Sequence, residues 1–140
     1  PQYMPYNGNS NKAGHDSHRV VQNIAMDYLW FKEDPREVKL VEKFLDFAYN
    51  EYNNGKNGFV GVYNLDGSPA VEYSTQSQVA MNAVGAMITD KEYSKFFIEK
   101  LWNQSTPDGM WRYYNGMLHM LGLLHVSGEF KIYGNPNLKK

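Results

Sequence analysis

A chain of 140 residues with a formal net charge of −1 is long enough for one domain with a useful core, and it offers no electrostatic case for binding nucleic acid or an anionic membrane. At 42% hydrophobic and 21% charged it is ordinary globular material, which excludes disorder of the whole chain, and with no Cys it forms neither disulfides nor thiolate metal sites. Aromatics are the departure, at 15% of the chain with 11 Tyr, 7 Phe and 3 Trp. Their first expected use is in a core, and their second is stacking on sugars.

Residues 1–14, rich in Pro, Gly, Asn and Tyr, read as irregular. They lack the basic and apolar regions of a signal peptide and look like a loop arriving at a helix, so a piece of a larger protein is expected. A first helix is predicted from about Ser17 to Lys32, with Val20, Ile24, Tyr28 and Phe31 as its apolar stripe. A second takes Asp34 as N-cap and Pro35 as its first helical position, turns Val38, Val41, Leu45 and Ala48 inward, and stops near Gly55. Between Gly58 and Tyr73, β-branched and aromatic residues flank Asp66-Gly67, which reads as a short hairpin or extended loop.

Helix returns over 74–89, rich in Ala, Gly and Met and nearly free of charge, hence buried on most sides. Residues 90–104 form an amphipathic helix. After a turn at Pro107–Gly109 comes another largely uncharged helix within 106–128. Met81, Met87, Met117 and Met120 are expected as core filler. No apolar run approaches the roughly 18 residues of a membrane span. The order is inner, outer, loop, inner, outer, inner, which predicts an all-α fold of about five helices in concentric layers, as in an α/α toroid. A solenoid would show self-similarity at a period of about 30–45 residues, and none is present.

The densest chemistry lies at "GHDSHRVVQNIAMDYLWF", Gly14 to Phe31. Asp16 stands about where the first helix should be capped, and Asp is a strong N-cap residue that complements the helix dipole. A metal reading would use His15, Asp16 and His18, but no further ligands are spaced to complete it, and His119 and His125 do not share a helix face. The third reading is a carboxylate that activates water. Asp16, Arg19, Asn23 and Asp27 recur at steps of three and four, which makes one polar face, and an arginine one turn from Asp16 favours the ionised form a base needs.

"DSHRVVQNIAMDYLWF" resembles the segment of glycoside hydrolase family 8 that reads Asp-Ala-x-Arg and continues into a helix ending Asp-Tyr-x-Trp-Phe. The similarity runs on through "YSTQSQVAMNAVGAM" and "WRYYNGMLHMLGLLHVSGEFKIY", in order along nearly the whole chain. The resemblance implies part of an (α/α)6 barrel that hydrolyses β-1,4-linked polysaccharide with inversion. It points most closely to the xylan-active subgroup, which includes enzymes that release xylose from reducing ends. It maps the general base onto Asp16 and its arginine onto Arg19, and it implies no cofactor. The family's general acid, a Glu, lies in the N-terminal part of its domain, and nothing like that segment occurs here. Residues 1–140 are therefore expected to be the C-terminal portion of one catalytic domain, inactive alone, with the N-terminal part of the barrel and an oligo- or polysaccharide as partners.

Trp111, Tyr113 and Tyr114 are candidate sugar-stacking residues, as is Trp30, and His15 joins the substrate-binding set as the immediate neighbour of Asp16. Asn115 and His119 depart from the family's commoner Asp and Tyr. The alternative from another class is a non-catalytic helical module that binds glycans or a protein through the same aromatic surface.

Overall fold

A computed structural model describes residues 11–134 of the chain. Five helices carry it: α1 (His18–Phe31), α2 (Arg36–Asn54), α3 (Gln76–Gly85), α4 (Ser94–Trp102) and α5 (Arg112–Val126). Short 3-10 turns lead into α1 (His15–Ser17) and out of α3 (Ala86–Ile88). Two three-residue strands, β1 (Lys12–Gly14) and β2 (Val62–Asn64), pair antiparallel with Ala13 opposite Tyr63. None of these helices is long and apolar enough to cross a membrane.

The alternation expected from charge is present in space. α3 packs against α1 on one side and α5 on the other, while α2 and α4 lie behind that row. α3 sits at the centre because its residues are small or apolar: Ala80, Met81, Ala83 and Val84 are wholly buried. Small residues let the backbones approach closely. A Cβ on Gly122 of α5 would stand 2.9 Å from the Ala80 Cβ, so glycine is what permits this α3–α5 contact.

α2 stops at Gly55 as expected but starts one residue later, with Pro35 as N-cap and Arg36 as the first helical residue. The Asp34 carboxylate accepts the Arg36 N–H at 2.9 Å, and the Gly55 N–H closes the last turn on the Glu51 carbonyl at 2.9 Å. Val41, Leu45 and Ala48 are buried and Val38 is half-buried, while the other side is solvated. The aromatic surplus is mostly core. Phe44, Phe47 and Tyr52 of α2 meet Phe59, Tyr63, Phe96 and Phe97, with ring centroids 4.9 Å apart for Phe47–Tyr63 and 5.2 Å for Tyr52–Phe59. Contacts of this kind contribute about 0.5–1.5 kcal/mol each beyond area burial.

Three expectations are corrected. Residues 12–14 form a strand, because their partner is the distant 62–64 segment and no local pattern announces it. That segment does turn back at Asp66-Gly67 as expected, with Gly67 at φ 86° and Tyr63 bridged antiparallel to Pro69, while its three-residue ladder is made with β1. The apolar stripe of α1 lies one residue round from its expected place. His18, Val21, Ala25 and Met26 are buried, whereas Val20 and Phe31 are 53% and 54% exposed. A small residue at a close helix contact and a polar residue with a buried partner decide that face, and neither registers as hydrophobic periodicity. Met81 and Met87 go inward as core filler, but Met117 and Met120 lie on an open apolar face of α5, because Leu118, Gly122 and His125 take the α3 side.

Candidate active site

A cleft of about 800 Å³ opens where the N-terminal ends of α1, α3 and α5 converge. It is lined by His15 and Asp16 before α1, Tyr73 to Ser77 at the start of α3, and Trp111, Tyr114 and Asn115 at the start of α5. The positive ends of three helix dipoles therefore surround a single carboxylate.

Asp16 occupies the middle of the 3-10 turn and makes no cap bond to either helical start, so the capping alternative does not hold. The turn inserts before α1, and its carboxylate lines the cleft. Its Oδ1 receives Arg19 Nη2 at 2.7 Å, across one helical turn, and the Tyr114 hydroxyl at 3.4 Å from α5. Among the described residues, Oδ2 has no protein partner. The Asp16 side chain is 71% exposed and that of Arg19 is 46% exposed, so the ion pair contributes at most about 1 kcal/mol to stability and serves mainly to orient.

Burial pushes the Tyr114 hydroxyl up from its ordinary value, which keeps it protonated and able to donate near neutral pH. Asn23 and Asp27 continue the exposed polar face that Asp16 and Arg19 begin, as the spacing predicted. They do not line the cleft.

His18 has no part in a shared metal site with His15 and Asp16. It turns into the core, 4% exposed, and its Nε2–H donates to the Gly61 carbonyl at 3.1 Å. Among the described residues, no three His, Asp or Glu side chains gather into a metal-binding group. His125 is likewise structural, stacked on Phe130 and bonded to Gln22 and the Leu121 carbonyl.

The aromatic candidates divide. Trp111 and Tyr114 line the cleft, and Trp111 is 67% exposed at its rim. Tyr113 is 80% exposed and lies outside the lining, because consecutive helical residues point about 100° apart. Trp30 stacks on Phe130 at 5.6 Å and packs away from the cleft. His15 lines the cleft with φ 46°, a left-handed conformation uncommon for a residue with a side chain.

Residue-by-residue reasoning missed the wall formed by Tyr73, Ser74, Thr75, Gln76 and Ser77, which supplies hydroxyl and amide groups facing Asp16. The signal available was a run of small polar residues just before an uncharged helix. That marks a helix start, but not what the start faces.

No family model matches the chain. Curated proteins and solved structures do. The chain is 32% identical to a reducing-end xylose-releasing exo-oligoxylanase from Halalkalibacterium halodurans, over 95% of this chain and 36% of that protein. It is 27% identical to a second such enzyme, from Paenibacillus barcinonensis, over 84% of this chain and 30% of that protein. A family 8 glycoside hydrolase from Teredinibacter turnerae, solved with xylobiose, superposes with a TM-score of 0.85 and 35% identity, over 94% of this chain and 32% of that one. The chain thus spans about a third of the length of the curated relatives it matches. The all-α layered fold expected from the sequence is accordingly part of an (α/α)6 barrel. In sequence and in fold, the chain is similar over nearly its whole length to about one third of a family 8 glycoside hydrolase.

Proposed function

We propose that this chain is the C-terminal portion of an inverting glycoside hydrolase acting on β-1,4-linked xylo-oligosaccharide or xylan, with Asp16 as general base. One observation carries the reading: a lone carboxylate in the lining of an 800 Å³ cleft has Oδ1 held by Arg19 and Tyr114, while Oδ2 has no protein partner among the described residues. A carboxylate fixed by one oxygen and open at the other suits removal of a proton from water.

In the step proposed, a water between Oδ2 and the sugar attacks the anomeric carbon from the face opposite the leaving oxygen. Its proton passes to Asp16 as the new C–O bond forms and the glycosidic C–O bond breaks. The departing oxygen takes a proton from an acid about 6.5–9.5 Å from the base. Among the described residues, the cleft lining holds no second carboxylate, so the acid is assigned to the remaining part of the barrel. Trp111 at the rim offers an apolar face to a sugar ring, and His15, Tyr73 and Asn115 offer polar atoms to its hydroxyls. Similarity to two exo-oligoxylanases and to a structure holding xylobiose supports xylose oligomers as the substrate class.

The test is anomer-resolved proton NMR on xylotriose, xylohexaose and cellohexaose. It compares the 140-residue chain with the same chain carrying the rest of the barrel. The restored enzyme should give α-anomeric product from the xylose oligomers and lose roughly 10²–10⁴-fold in rate on Asp16→Asn, while the short chain gives none. β-Anomeric product, or undiminished cleavage by Asp16→Asn, would overturn the reading. Saccharide binding that survives Asp16→Asn, with no cleavage even in the restored chain, would instead identify a binding module.

A further inference from the structure

We infer that His18 is a positioning residue for Asp16: its bond to the Gly61 carbonyl fixes the strained turn on which the carboxylate stands. The inference rests on the assignment of Asp16 as base. It adds what holds that base at a defined place in the cleft.

The turn cannot hold itself. It is three residues long, begins with His15 at φ 46° and has no side-chain cap bond. A left-handed non-glycine residue costs on the order of 1–3 kcal/mol and persists only where its surroundings impose it. Here the surroundings are two adjacent residues of one extended segment. Before the turn, Gly14 pairs with Val62, so closely that a Cβ on Gly14 would come within 2.8 Å of the Val62 side chain. After it, His18 Nε2–H donates to the Gly61 carbonyl at 3.1 Å. The turn is clamped at both ends, and Asp16 is the residue left projecting.

Gly61 also links the turn to the facing wall. Its N–H donates to the Tyr73 carbonyl at 2.6 Å, and the Tyr73 hydroxyl lies 3.5 Å from His15 Nε2. A bond from His18 to Gly61 therefore sets the distance between the base and the Tyr73–Ser77 wall, across which a sugar would lie.

The chemistry of the imidazole argues for a directional role over simple filling. A carbonyl only accepts, so Nε2 carries the proton and Nδ1 is left as a buried nitrogen with no partner among the described residues. Leaving such a group unsatisfied is costly, and a Leu or Phe would fill the space without that cost. Only a side chain with a donor at the Nε2 position can make the bond to Gly61. The fold separates the tasks: Asp16 lines the cleft, whereas His18 is buried in the core.

The experiment compares His18→Leu, His18→Gln and His18→Asn in the restored enzyme. A Gln amide N–H sits near the Nε2 position and an Asn amide N–H near Nδ1, so only Gln can reach Gly61. With Leu, kcat should fall about 10²-fold, the loss expected of a misplacement near 1 Å, while KM stays within about twofold. Gln should recover at least a tenth of wild-type kcat and Asn should not. Wild-type kcat in the Leu variant, or equal kcat in Gln and Asn, would overturn the inference. The Gln–Asn comparison decides it even if the Leu variant does not fold. A second readout does not depend on the base assignment: amide chemical shifts of residues 15–17 in the 140-residue chain should move with Asn and return with Gln. If they do so while Asp16→Asn keeps full activity, the assignment of the base fails and the clamp stands.

Discussion

Lowering the pH charges the imidazole at position 18, and its surroundings set the cost. Burial holds the His18 pKa down to about 4 from the ordinary 6.5, with the His15 charge acting in the same direction and the Gly61 carbonyl and Asp16 opposing. In the unfolded chain the ring takes its proton near pH 6.5. Between there and about pH 4 the unfolded state holds the extra proton, so stability falls as the pH falls. At 1.36 kcal/mol per pH unit, a fall from 6.5 to about 4 comes to about 3 kcal/mol, present in full well above pH 6.5 and diminished by about 1.4 kcal/mol at pH 5.5.

Burial also lowers the pKa of His125, which adds acid sensitivity of the same sign. A second protein is therefore needed to isolate His18. Urea unfolding free energies of wild type and His18→Leu, measured at four pH values from 7.5 to 4.5, supply the comparison. Wild type should lose about 2.5 kcal/mol relative to the variant across the series, about half of it below pH 5.5. Parallel pH dependence in the two proteins would refute the reasoning, since it would mean that His18 is no more buried in the folded chain than in the unfolded one.

Gly122→Val should destabilise the chain by about 1–3 kcal/mol, because its first side-chain atom would stand 2.9 Å from Ala80 and 3.2 Å from Leu101. An unchanged midpoint in thermal circular dichroism would show that α3 and α5 are further apart. Tyr114→Phe removes a long, 3.4 Å hydrogen bond to the Asp16 carboxylate. In the restored enzyme it should lower kcat less than tenfold and change stability by about 1 kcal/mol or less. A loss as large as that of Asp16→Asn would make the hydroxyl a principal part of the catalytic machinery.

Local pattern alone determined a good deal of this protein. The charge alternation separated inner from outer helices, Gly55 marked the end of α2, and the Ala-rich, nearly uncharged run 74–89 read as a buried helix, of which 76–85 is α3. These features are legible because they depend on residues within a turn or two of one another. The step of three from Asp16 to Arg19 likewise fixed their ion pair, since helical spacing brings the two side chains together.

Other features were decided only in three dimensions. Lys12–Gly14 became a strand because Val62–Asn64 came to lie beside it, and His18 went inside because Gly61 offered a carbonyl there. Whether Asp16 was a cap or a cleft carboxylate turned on Tyr114, ninety-eight residues away, and on the convergence of three helix starts. Met117 and Met120 carry the same hydrophobicity as Met81 and yet lie outside, since which side of α5 meets α3 is set by Gly122 and the close approach it allows. Hydropathy along a chain records how much a residue gains from burial. The partner that completes a hydrogen bond or fills a contact belongs to another part of the chain, and folding alone brings it near.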